Sequence, residues 1–155
     1  MQPLALLSTG SNLSLGTMNI KPNTAKEIEA NLTDTTSPYY PGDKYAHLLD
    51  FSTDNHDTER VKRLNDYTHH YYSYLYAALN IKEYEKQWTS AGFDISDRPE
   101  VLATLFNIGF QHSTPSANPQ VGGAVINIDN TKYTFGSLAY EFYYSGELNV
   151  DFPEK

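Results

Sequence analysis

A chain of 155 residues, 39% of them hydrophobic, matches the size of one globular domain built around a single core. The absence of cysteine excludes disulfide frameworks, thiolate metal sites, iron–sulfur clusters and thiol nucleophiles. Eleven basic residues against nineteen acidic ones give a net charge of −8, which disfavours nucleic acid as a partner because phosphate neutralisation needs clustered Lys and Arg.

In chain order, residues 1–20 read as an irregular segment broken by Gly10 and Gly16. Their longest aliphatic run, Leu4 to Leu7, is too short for a membrane span or a signal-peptide core, so a chain with neither is expected. Pro22, Asn23 and Thr24 then open a short helix over 22–32, with Ala25, Ile28 and Leu32 at helical spacing. Residues 33–57, rich in Thr, Ser, Pro and Asp, read as a long loop, and loops of that length often carry function.

The strongest helical signal runs from Glu59 to Trp88, where Val61, Leu64, Tyr67, Tyr71, Leu75, Ala78 and Leu79 form one stripe. It predicts a Tyr-rich central helix over 59–80 with Leu75 and Leu79 in the core. Asn80 is expected to break it and to start a second helix over 81–91, capped by Gly92. Within this stretch Arg60, Lys62 and Arg63 read as a solvated helix face. Ser96 to Glu100 open a helix over 97–109 that Gly109 closes, 124–134 carries a short β segment, and 134–145 forms the last helix. The fold class is mostly α.

The usual chemical signatures fail on residue identity. His69 and His70 are adjacent and diverge by about 100° on a helix, and no His-Glu-x-x-His pair exists. Asp54-Asn55-His56-Asp57 lacks the glycine and distal Glu of a calcium loop. Gly10 to Gly16 has no following Lys-Ser/Thr, and Gly136-Ser137 lacks the flanks of a nucleophile elbow. No metal and no cofactor is assigned.

Two segments carry a resemblance. Gly16-Thr17-Met18-Asn19-Ile20-Lys21-Pro22-Asn23-Thr24-Ala25, preceded by Ser14, resembles the lytic transglycosylase segment Gly-x-Met-Gln-Ile-x-Pro-x-Thr-Ala that leads into a helix. Some eighty residues later, Val101 to Gly109 is similar to the same family's Ala-Ala-Tyr-Asn-x-Gly helix, and Tyr71 to Leu79 stands where its central helix lies. The resemblance covers roughly residues 8–146. It implies a single lysozyme-like domain spanning 1–155, of the goose-type lysozyme and lytic transglycosylase kind, acting on peptidoglycan or a related amino-sugar glycan in the periplasm or outside the cell. It further implies Ser14 and Asn19 as polar contacts to acetamido or hydroxyl groups, Met18 and Phe106 as apolar walls, and Asn107 as an orienting amide.

The departures from that pattern concern catalysis. The family's acid, a Glu that protonates the glycosidic oxygen, would fall at Met1 or Gln2, and residues 1–26 contain no carboxylate. Glu27 and Glu29 follow the motif instead, the family's Gln is Asn19, and its Tyr is Phe106, which has no hydroxyl. No catalytic residue is therefore assigned. The expectation is either a piece of a longer glycosidase that lacks its acid-bearing first helix, or a non-catalytic module that binds a saccharide or a protein partner, with Tyr39, Tyr40, Tyr143 and Tyr144 as exposed stacking area.

Overall fold

The computed structural model describes residues 13–149, so the expectations for residues 1–12, including Gly10 and the Leu4 to Leu7 run, lie outside the described residues. Among the described residues there are five α-helices and one antiparallel pair of strands: α1 (Pro22–Thr33), a 3-10 turn (Asp43–Tyr45), α2 (His56–Leu64), α3 (Tyr71–Ser90), α4 (Pro99–Ile108), a second 3-10 turn (Phe110–His112), β1 (Val125–Ile128), β2 (Thr131–Thr134) and α5 (Phe135–Tyr144). The protein is mostly helical, with a short β segment where the sequence predicts one. The chain forms two compact units, Met1–Glu83 and Tyr84–Lys155, with the boundary inside α3. No described helix is long and apolar enough to cross a membrane.

In the first unit, α1 starts with Pro22 in its first turn and buries Ala25, Ile28 and Leu32. The next helix begins earlier than the hydrophobic stripe indicates, at His56, because the Asn55 side chain accepts the Thr58 N–H and caps it. Acidic Asp57 and Glu59 in its first turn and basic Lys62 and Arg63 in its last complement the helix dipole. Arg60 and Arg63 are buried, correcting the reading of a solvated basic face. Carboxylates and carbonyls reach them from neighbouring segments, which sequence spacing does not reveal.

The predicted 59–80 helix is two helices. Asp66 Oδ1 accepts the N–H groups of Thr68 and His69, and this local turn competes with helical bonding between Asn65 and His70. Asn80 does not break the chain: it lies buried inside a single 20-residue helix, α3. The buried face of α3 is also rotated from the predicted stripe. Ser73, Tyr76, Ala77, Leu79, Asn80, Glu83, Tyr84 and Trp88 are buried, whereas Leu75 is half-buried and Tyr67 and Tyr71 are exposed. α3 ends in the expected left-handed Gly92, with Gly92 N–H on Thr89 O and Phe93 N–H on Trp88 O.

In the second unit, α4 packs on α5, and the crossing is close because residue 136 is glycine. A Cβ there would overlap Thr104 Oγ1 and lie 2.7 Å from the Glu100 carbonyl oxygen. Asp94 takes the Ser96 N–H and hydroxyl, so Ser96 is not the cap of α4; Arg98 holds that position without a side-chain cap bond. β1 and β2 pair in the register Val125 to Thr134, joined by Asp129 and Asn130, both in the left-handed region that such a tight hairpin requires. Thr134 and Ser137 then cap α5 reciprocally.

The rotated face of α3 makes a stability prediction. Leu79→Ala should cost about 2 to 5 kcal/mol in urea melts, and Leu75→Ala about half of that or less. Equal losses would return the core to the predicted stripe.

Candidate functional site

The segment that carries the resemblance folds into one tight turn of the first unit. Leu15 and Ile20 pair as an isolated antiparallel bridge, N–H to O at 2.8 and 3.0 Å in the two directions. Reversing the chain within four residues requires positive φ, and Gly16 (+68°) and Asn19 (+53°) supply it. Leu15 and Ile20 point into the core and anchor the base of the turn. Gly16 lies flat on the end of α2, where a Cβ would overlap the Leu64 carbonyl oxygen. Met18 N–H donates to Ser73 Oγ at 3.2 Å, and Thr17 Oγ1 is 3.0 Å from His70 Nδ1, so the first turn of α3 grips the tip. Ser14 and Asn19 remain exposed and Met18 half-exposed on this fixed frame.

Phe106 and Asn107 sit on α4 in the second unit, the first half-buried and the second exposed. Asn107 orients a backbone segment: its Oδ1 accepts the Ala124 N–H at 2.8 Å. One turn earlier Thr104 Oγ1 accepts the Gly122 N–H at 3.0 Å while donating to Glu100 O. The Gly122 and Ala124 carbonyls accept from the N–H groups of Gly136 and Phe135. Residues 122–124 are thus strapped between α4 and α5, and a Cβ on Gly123 (φ +90°) would press on the Asn107 amide oxygen at 2.8 Å.

The titratable groups divide by environment. Both oxygens of Glu29 are occupied as acceptors, by Arg60 Nε (2.7 Å), Arg60 Nη2 (2.5 Å) and the Tyr76 hydroxyl (2.6 Å). Asp57 joins through Arg60 Nη1 and Lys26, whose hydrogen bonds, Lys26 first, lower its pKa. Arg63 donates to Leu49 O, Asp50 O and Glu59, with its guanidinium against the rings of Phe51 and Tyr72. Burial works against ionised Glu59, yet the hydrogen bonds from Ser52 and Thr53 hold its pKa down at about 2. A pocket of about 470 Å³ opens beside this network, lined among others by Glu29, Leu49, Phe51, His56 and Arg60, with His56 stacked on Phe51.

Glu83 is the opposite case, and sequence reasoning missed it. Burial pushes its pKa up to about 9, against one hydrogen bond from Asn31 Nδ2 at 3.1 Å and with help from the charge of Glu27. Its Oε1, and Asn80 Nδ2 one turn earlier, are buried without a hydrogen-bond partner among the described residues. The only sequence signal was negative: a Glu in a helix where Tyr and Leu set the expected face. Among the described residues no three His, Asp or Glu side chains converge as metal ligands. Tyr39 and Tyr40 are half-buried rather than exposed, with the Tyr40 hydroxyl donating to Asp43, whereas Tyr143 and Tyr144 are exposed as expected.

No protein family, no curated protein and no solved structure matches this chain.

Glu83 makes the protein's stability depend on pH. Its folded pKa near 9 lies above the ordinary value of 4.5, so between the two the folded state holds a proton that the unfolded chain releases. Its contribution is therefore complete at acid pH and is lost as the pH rises toward 9, by up to about 1.4 kcal/mol per pH unit. Glu83→Gln, which is neutral throughout, should be close to wild type at about pH 5 and more stable than wild type at about pH 8 in urea melts. A wild-type-minus-variant difference that does not change with pH would show Glu83 to be ionised in the folded protein.

Proposed function

We propose that this chain is a lysozyme-like domain, of the lytic transglycosylase kind, that recognises peptidoglycan glycan strands or a related amino-sugar polymer and does not cleave them. The observation that carries the reading is the Leu15–Ile20 turn, whose backbone is fixed by Gly16 against α2 and by Met18 on Ser73 while Ser14 and Asn19 stay exposed. A turn of this kind is a fixed rim: its backbone meets a ligand already in place, so the ordering cost of binding is confined to the side chains. In the second unit, Asn107 sets the position of residues 122–124.

The environments of Glu29 and Glu83 favour recognition over cleavage. A general acid must both hold a proton and reach within about 3 Å of the glycosidic oxygen, directly or through one water. Glu29 is committed to Arg60 and Tyr76 as an acceptor. Glu83 holds a proton at neutral pH but is fully buried.

The test is retention of the 155-residue chain on purified sacculi and binding of soluble chito-oligosaccharides, with muropeptide release followed by chromatography. Asn19→Gly, which keeps the backbone conformation and removes the amide, and Ser14→Ala should each weaken binding about two- to tenfold, the worth of one hydrogen bond. Gly16→Ala should lower stability by about 2 kcal/mol or more through overlap and backbone strain, and weaken binding with it. Absence of retention on both glycans would overturn the recognition, and release of muropeptides lost on Glu29→Gln would overturn the assignment of Glu29 as structural.

A further inference from the structure

Four of the last five residues of α5 are aromatic, and Tyr140, Phe142, Tyr143 and Tyr144 are each about half exposed, at 50%, 49%, 56% and 53%. Rings of that size usually lie in a core, and a cluster of them in water marks a contact surface. Tyr140, Tyr143 and Tyr144 share one face by their spacing of three and four. Their rings touch: Tyr140 and Tyr144 have centroids 4.7 Å apart at 52°, and Tyr143 and Tyr144 5.1 Å apart at 79°. Rings so inclined make a corner. A flat stacking platform for a sugar would need them coplanar.

The charges around the rings are predominantly acidic. Residues 133–149 contain Glu141 and Glu147 and no Lys, Arg or His. Tyr144 resists losing its proton, through partial burial, its two tyrosine neighbours, and the negative charges of Glu100 and Asp97. The nearby Arg98 is engaged with Glu100. A corner of electron-rich ring faces in a negative field attracts a cation, at roughly 0.5–1 kcal/mol per ring where exposed. The chain uses the same chemistry internally, with Arg63 against both Phe51 and Tyr72. At Tyr140, Tyr143 and Tyr144 no cation from the described residues is seated.

We propose that the Tyr140–Tyr143–Tyr144 corner is a docking surface for the lysine and arginine side chains of a basic segment on a partner protein. The charge complementarity selects that occupant, and steers it from a distance at low salt. This surface is independent of the glycan-binding turn.

The experiment titrates the whole chain, its tyrosine rings isotope-labelled, with a short Gly-Lys-Arg repeat peptide. A matched peptide with acetyl-lysine and citrulline in place of the cations, and chitotriose, serve as comparisons, read by NMR. The basic peptide should shift the rings of Tyr140, Tyr143 and Tyr144 saturably and more weakly at high salt, with the neutral peptide leaving them unmoved. Tyr143→Leu and Tyr144→Leu should each weaken binding about two- to fivefold, while the Phe variants, which keep the ring, should bind as wild type. If a leucine variant loses helicity by circular dichroism, the ratio of basic to neutral peptide binding on the wild-type chain decides. Equal binding of both peptides, no saturable shift at millimolar basic peptide, or shifts of these rings by chitotriose alone would overturn the proposal.

Discussion

Two buried guanidinium groups on α2 hold the first unit together. Arg60 and Arg63 lie one turn apart, 5% and 7% exposed, and an unpaired charge there would cost several kcal/mol. The surrounding chain is arranged to avoid that cost. Arg60 presents a bidentate face to Glu29 on α1, reaches Asp57 on its own helix, and shares Glu29 with the Tyr76 hydroxyl from α3. Arg63 satisfies the Leu49 and Asp50 carbonyls, which have no strand or helix to bond to, and pairs with Glu59, which in turn gathers the backbone of Ser52 and Thr53. Three helices and the loop before α2 thus converge on two side chains. Charge pairs of this kind add little net stability over an apolar core, but they specify one arrangement, because any other leaves a charge buried and unpaired.

The second unit depends on small residues. Thr104 and Asn107, three apart on α4, receive alternate N–H groups of the 122–124 strap, and Gly136 lets α5 close on the other side. The buried Gly122 N–H would otherwise be an unsatisfied donor under the helix crossing, whereas the Ala124 N–H lies at the exposed end of the strap. The strap leads directly into the β1–β2 hairpin and the capping box of α5, so the two side chains on α4 set the start of everything that follows, down to the tyrosine corner.

Glu29 and Glu83 illustrate how burial alone does not decide a carboxylate's chemistry. Both belong to the first unit and both are largely hidden from solvent. Glu29 meets a cation and a hydroxyl and becomes an anchor; Glu83 meets a single amide and keeps its proton at neutral pH. Neither has the combination of a transferable proton and an open approach that acid catalysis needs, and the functional reading therefore rests on exposed polar groups carried by a rigid turn.

What could be read from the sequence was what local chemistry controls. Pro22, Gly92 and Gly109 mark element ends because φ preferences act within a few residues, and the helical segments follow from them, whereas the pairing of β1 with β2 came from the structure. The mostly helical class came from periodicity. The tertiary structure decided which face of α3 turns inward, that Arg60 and Arg63 are interior, that Asn80 sits in mid-helix, and that Glu83 is protonated. Each of these depends on a partner distant in the chain: Glu29 is 31 residues from Arg60, and Asn31 is 52 from Glu83. A polar residue reads as surface until its partner is known, and hydrophobic spacing carries no record of that partner. The tyrosines divide on the same ground: Tyr143 and Tyr144 are exposed as the sequence suggests, whereas Tyr39 and Tyr40 are half-buried by contacts that only the packed structure supplies.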